Sequence, residues 1–258
     1  MKRFGNRWGF KLLLPPIVII FITLPGQLDK KLMKSNEKFS GFTQETFNFF
    51  AGLKENNYKP WFEEHRPVYE QEVLQPLKAL VLAMTPAMYS IDPQMDFRSK
   101  KIISRIYRDI RFSTDKSPYK TNMWITFQRI VQNWENFPGF YMEISADSYQ
   151  YGMGLWMGKK NIMDEYRAKI EYEPEQFRQM TEKLIGKHGF VVGGDEYKRP
   201  INNSLPDFFQ TWYQRKSMYL YKICPIGREL FDGGFALHLY KEFALMQSFY
   251  NFLVEICE

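Results

Sequence analysis

Cysteine is nearly absent from this 258-residue chain: Cys224 and Cys257 are far apart and form no C-x-x-C pair. A disulfide framework, a cysteine zinc site and a dithiol redox motif are thereby excluded, and a reducing cytoplasm is the expected setting. Histidine is scarce too. His65, His188 and His238 stand alone, with no H-E-x-x-H and no Cys–His grouping, so no metal site is expected. There is no G-x-S-x-G elbow, and Gly152-Met153-Gly154 lacks both a Walker lysine and dinucleotide-binding spacing. It reads as a bulge or a point of close packing, and no cofactor is implied. The sequence also lacks internal repeats, low-complexity tracts and any obvious linker.

No apolar run is long enough for a comfortable transmembrane helix, so stable membrane insertion is not expected. Lys2, Arg3, Arg7 and Lys11 precede an apolar run from Leu12 to Leu24, the outline of a signal peptide. Pro15-Pro16 interrupts that run, and no pair of small residues follows for cleavage. Residues 1–38 are therefore expected to be a dispensable extension, with Met33-Lys34-Ser35 as an alternative start. Export or membrane anchoring through residues 1–26 is the competing reading. Residues 39–258 are expected to form a single α+β domain.

Aromatic residues are abundant: 23 Phe, 16 Tyr and 6 Trp make up 17% of the chain. Phe47, Phe49, Phe50 and Leu53 mark one face of a first helix, with Thr43 placed to cap it. Trp61 to Met84 reads as a helix disturbed at Pro67, with a buried stripe through Leu74, Leu77, Leu80 and Val81. From Lys101 the period changes to two. Ile102, Ile106, Ile110 and Phe112 alternate with polar residues, and three further strand patterns follow, the last ending at Met157. Helix returns at Ile162–Ile185, divided near Glu173-Pro174. It is expected again at Leu205–Tyr221 and in one long helix from Phe235 to about Ile256. Consecutive strands with short connections predict an antiparallel sheet of about four or more strands, flanked by N- and C-terminal helices.

The net charge of +6 is concentrated. Arg98 to Lys120 carries eight basic residues against Asp109 and Asp115, and the rest of the chain balances. A local basic block favours an anionic partner; the competing reading is a solvated face laced with ion pairs. Arg105, Arg108, Arg111, Lys116, Tyr119 and Lys120 are the candidate ligand-binding residues, because arginine forks suit phosphate or carboxylate. Arg108 falls on the apolar side of the alternation, where it requires a partner, and Glu63, Glu64 and Glu70 are its candidates. Lys198 and Arg199, in Tyr197-Lys198-Arg199-Pro200 with Arg215 and Lys216 nearby, form a second basic cluster. Asp109 and Asp115 are the only candidate general bases.

The run R-I-Y-R-D-I-R-F-S-T-D-K-S-P-Y-K at Arg105–Lys120 resembles the signature of an uncharacterised family, domain of unknown function 2461. The resemblance extends to Phe42-Thr43, Phe49-Phe50, Asn56-Asn57 and Trp61-Phe62 to Tyr69-Glu70. It continues through Tyr151-Gly152-Met153-Gly154, Tyr166-Arg167 to Ile170, Tyr197-Lys198-Arg199-Pro200 and Arg215-Lys216-Ser217, and covers about residues 39–256. Two departures stand out: Met153 interrupts a usually fuller glycine run, and Ile201–Asn203 replaces a longer proline-containing segment. The family carries no established activity, so the resemblance implies the α+β fold and a start near the first helix, and no reaction. Whether the protein is an enzyme stays open. The expected function is binding or acting on an anionic, perhaps phosphorylated, small molecule through the basic strand and loop. A nucleic-acid-binding module and a protein-interaction domain are the alternatives; nucleic acid is disfavoured because the basic residues outside the block, balanced by acids, are too few to favour a long track.

Overall fold

Phe47, Phe49, Phe50 and Leu53 form the buried side of α1 (Gln44–Glu55), as their spacing predicts. At its start the Thr43 amide donates to Thr46 Oγ1, and Thr43 Oγ1 donates to Glu72. The structure, a computed structural model, describes residues 39–111, 114–132, 134–202 and 204–258. The amino-terminal extension, with its apolar run and Met33, and Phe112 lie outside the described residues.

The next helical run is continuous. It comprises α2 (Lys59–Val68), a π-helical stretch at Tyr69–Leu74 and α3 (Gln75–Ile91). Pro67 has no N–H to donate, and the wide turns follow it directly. Val73, Leu77, Leu80, Val81 and Met84 of this run are fully buried.

The alternation from Lys101 does not become a regular strand. Ser99–Ile102 is a single helical turn, α4. The chain then makes two isolated antiparallel bridges, Ile103 to Ile125 and Tyr107 to Tyr119, as an irregular hairpin-like arm along the sheet edge. Ile102 and Ile106 turn inward as expected, but Ile110 is 46% exposed. Period two marks an edge segment of this kind as readily as a full strand.

Five strands form one antiparallel sheet in the order β1-β2-β3-β5-β4. They are β1 (Asn122–Gln128), β2 (Gly139–Ser145), β3 (Ser148–Leu155), β4 (Val191–Gly193) and β5 (Met218–Pro225). Between β3 and β4 lie α5 (Lys160–Tyr172) and α6 (Pro174–Gly186), divided at Glu173 as expected. The helix expected at Leu205–Tyr221 is only α7 (Asp207–Tyr213); Met218 onward is β5 instead. Tyr219 and Tyr221 lie two apart, a strand spacing, and an eight-residue pairing with β3 holds this segment in the sheet. The final helix also breaks, at Met246, into α8 (Phe235–Leu245) and α9 (Gln247–Cys257).

One sheet face is apolar and covered by helices. Met123, Ile125 and Phe127 of β1, Phe140, Met142 and Ile144 of β2, and Met153 and Leu155 of β3 are fully buried. The Phe140 ring meets Phe243 of α8 at 5.1 Å and Tyr250 of α9 at 5.0 Å. The opposite face carries the functional candidates.

Candidate functional site

Strand alternation sends every other side chain of β1, β2, β3 and β5 to the opposite face, and the register orders these into cross-strand rows. One row runs Trp124, Glu143, Gln150, Ile223. The next runs Thr126, Tyr141, Gly152, Tyr221, Val191, and the third Gln128, Gly139, Gly154, Tyr219, Gly193.

The glycines exist to be covered. A Cβ on Gly152 would lie 2.0 Å from the Leu220 carbonyl oxygen and 2.8 Å from the Tyr141 ring. One on Gly154 would lie 2.3 Å from the Met218 oxygen, and one on Gly193 2.3 Å from the Tyr219 ring. Of the two readings of Gly152-Met153-Gly154, close packing holds; the register runs through without a bulge. The rings that lie across these glycines make an aromatic cluster. Trp156 meets Tyr141 edge-on at 4.6 Å and Tyr219 at 4.7 Å, and Tyr219 meets Tyr221 at 5.6 Å.

Above this floor is a cavity of about 860 Å³, within the range of small-molecule sites. Trp124, Tyr141, Trp156, Tyr219 and Tyr221 supply aromatic surface, and Ser104, Thr126, Gln128, Glu143 and Gln150 supply polar groups. Gln150 Nε2 donates to Glu143 Oε1 at 3.0 Å. Arg98, Lys101 and Arg129 bring positive charge to the lining, with Asp96 and Glu135 as acids. Arg98 is engaged by Asp96 at 2.5 Å.

Arg129 is fixed from behind. Its Nε donates to Asp92 Oδ2 at 2.5 Å, its Nη1 to Glu258 at 2.7 Å, and Tyr250 also donates to Asp92 at 2.6 Å. Burial pushes the Asp92 carboxyl up, but the hydrogen bonds from Tyr250 and Arg129 outweigh it and hold the group below its usual range. The end of the sheet is thus tied to α3 and α9 by a buried charge network.

The basic arm borders the cavity without lining it: none of Arg105, Arg108, Asp109, Arg111, Asp115, Lys116, Tyr119 and Lys120 is among the lining residues. Much of its charge holds the arm itself together. Arg108 donates to the Tyr119 carbonyl at 3.2 Å and pairs with Asp115 at 3.0 Å, not with Glu63, Glu64 or Glu70. Arg111 pairs with Asp109 at 2.7 Å, and its hydrogen bonds pull that carboxyl down to about 2. The Ser117 amide and hydroxyl, with Arg108, lower Asp115 as well. Lys116 donates to the Ile110 carbonyl at 2.8 Å.

Lys120 is different. Its ammonium lies 4.1 Å from the centre of the Trp124 ring and donates to the Arg105 carbonyl at 2.9 Å. Burial, with Arg105 and Arg108 nearby, lowers its pKa. Trp124 therefore joins the arm to the cavity. The arm's root is held by Asn57, whose amide donates to the Tyr119 carbonyl and accepts from the Tyr119 N–H, both at 3.0 Å. Tyr119 also stacks on Phe62 at 4.1 Å.

Lys198 and Arg199 are exposed on the loop between β4 and α7, and no described contact joins them to the arm. Arg215 and the buried Arg167 secure that loop. Arg215 donates to the Gly194 carbonyl and pairs with Glu196, while Arg167 donates to the Tyr213 and Arg215 carbonyls. Among the described residues no group of His, Cys, Asp and Glu is arranged to hold a metal, and no helix is long and apolar enough to cross a membrane.

A five-stranded antiparallel sheet with helices on one face, an aromatic cavity on the other and a basic arm at its edge defines an open-faced α+β protein. The chain belongs to the family described as conserved hypothetical protein (DUF2461), whose model matches residues 45–252. The arm run Arg105–Lys120 falls inside that match. No curated protein matches the chain significantly.

Proposed function

We propose that the protein binds a small anionic molecule in the cavity on the open sheet face. Its flat or apolar part lies against the Trp124, Tyr141 and Tyr221 rings, and its anionic group meets the cationic edge. That edge is formed by Lys101 at the lining and by Lys120 and Arg105 of the arm beyond Trp124. The observation that carries this reading is the contact of the Lys120 ammonium with the Trp124 ring, which sets the basic arm against the cavity wall. Arg108 and Arg111, neutralised by Asp115 and Asp109, serve here to shape the arm, and the two aspartates are counterions. Lys198 and Arg199 take no part.

A nucleic-acid strand would need phosphate contacts repeated along a track. Five basic residues on one short arm, two of them paired to aspartates, fit a single anionic group better. The test is a thermal-shift series on the full chain with phenyl phosphate, sugar phosphates, mononucleotides and a short RNA. A small phosphate compound is expected to raise the melting temperature of the wild type and to do so less for Trp124→Ala and Lys101→Gln. A response to RNA alone would favour the nucleic-acid reading. No response to any anion, or equal responses in the variants, would overturn the proposal.

A further inference from the structure

The row that begins at Trp124 is the polar part of an otherwise aromatic floor, and its two central members are both rich in acceptors. Glu143 and Gln150 are direct cross-strand partners on β2 and β3, half-buried in the cavity lining. Gln150 spends an amide hydrogen on Glu143 Oε1. Among the described residues no other hydrogen bond reaches the Glu143 carboxylate or the Gln150 amide oxygen, so both keep acceptor capacity for a ligand. Acceptors on two neighbouring strands of the lining suit a ligand edge that carries two donors.

We infer that Glu143 and Gln150 recognise a pair of neighbouring hydroxyl groups, so that the ligand is a phosphorylated sugar or a sugar-bearing molecule of that kind. This rests on the proposed binding reading and sharpens it. A vicinal diol supplies two O–H donors at the spacing of neighbouring acceptors, and a carboxylate receives them as charge-assisted bonds. The C–H face of a sugar ring suits the neighbouring Trp124 and Tyr141 surfaces, which offer area without hydrogen-bonding groups across the ring. A ligand edge of acceptors, such as a second phosphate or a carboxylate, would meet the Glu143 charge with repulsion. The two sets of groups thus ask for opposite chemistry: an anion towards Lys101 and Lys120, and donors over Glu143 and Gln150.

The experiment titrates the full chain with ribose 5-phosphate, glucose 6-phosphate and phenyl phosphate. Phenyl phosphate keeps the anion and a flat face but has no hydroxyl pair. Wild type is expected to bind at least one sugar phosphate about tenfold or more tightly than phenyl phosphate. Glu143→Gln is expected to remove that preference, bringing the ratio of sugar phosphate to phenyl phosphate affinity down to about one, and a cooperative thermal melt reports that the variant is folded. If phenyl phosphate binds as well as the sugar phosphates, or Glu143→Gln leaves the preference intact, hydroxyl recognition is overturned and the anion site stands. If none of the three binds, both readings fall together.

Discussion

Replacing Asp92 by asparagine removes one charge from the most buried ion pair in the described structure while keeping the side chain's size. Asp92 is 4% exposed and the Arg129 side chain 11%. Breaking a buried pair by removing one partner costs about 3–5 kcal/mol, because the surviving charge is left uncompensated. Here the loss is softened. Arg129 keeps Glu258, whose side chain is 56% exposed, and the single amide oxygen of the variant still accepts either from the Gln94 N–H on the Oδ1 side or from Tyr250 on the Oδ2 side, though not from both. A cost of about 2–3 kcal/mol remains, and at about 2–4 °C per kcal/mol for a domain of this size the melt falls by roughly 4–12 °C. The acid dependence has a definite sign. The native carboxyl titrates below its unfolded value of about 3.9, so its contribution is complete above that pH and is lost as pH falls towards the lower native value. Urea titrations of wild type and Asp92→Asn should therefore differ by a constant amount from pH 7 to 5 and converge below about pH 4. A difference under about 1 kcal/mol at pH 7, or a gap that widens in acid, would refute the reasoning.

Other consequences are as direct. Gly154→Ala places a methyl group 2.3 Å from β5 backbone atoms and should cost at least about 2 kcal/mol in thermal melts. Gly186→Ala, at a helical position with nothing within 4 Å of the new Cβ, should leave stability unchanged or raise it by about 0.5–1 kcal/mol. Asn57→Ala strips both hydrogen bonds from the Tyr119 backbone and should cost about 1–3 kcal/mol. Amide exchange should accelerate at Tyr119 but not in β2. Asp109→Asn breaks an exposed pair and should leave the thermal melt unchanged.

Helices with a clear apolar stripe were legible in the sequence, and so was the break at Glu173-Pro174, because local spacing and proline chemistry act over a few residues. The strands β1 to β3 were legible for the same reason. β5 was not, since Phe208, Phe209, Trp212 and Tyr213 carry a helical spacing that masks the change to period two at Tyr219 and Tyr221. The basic block was visible as charge, but its internal use was not: the partner of Arg108 depends on the turn that brings Asp115 back. The cavity went unread because it is a property of register. Trp124, Tyr141, Gln150 and Tyr221 belong to four strands and become neighbours only once those strands are aligned. One local signal pointed to it. Large aromatics recur at the solvent-facing parity of β1, β2 and β5, where an open sheet face ordinarily carries polar side chains.

We propose that the open sheet face, with the arm beside it, binds a small anion. The most direct test follows the indole N–H signals of the six tryptophans by NMR while a sugar phosphate is titrated into the full chain. Saturable shifts are expected at Trp124 and Trp156, while Trp61 and Trp212, in the helical part of the molecule, stay still. Shifts confined to Trp61 or Trp212, or no saturable change in any of the six across the panel of phosphate compounds, would contradict the proposal.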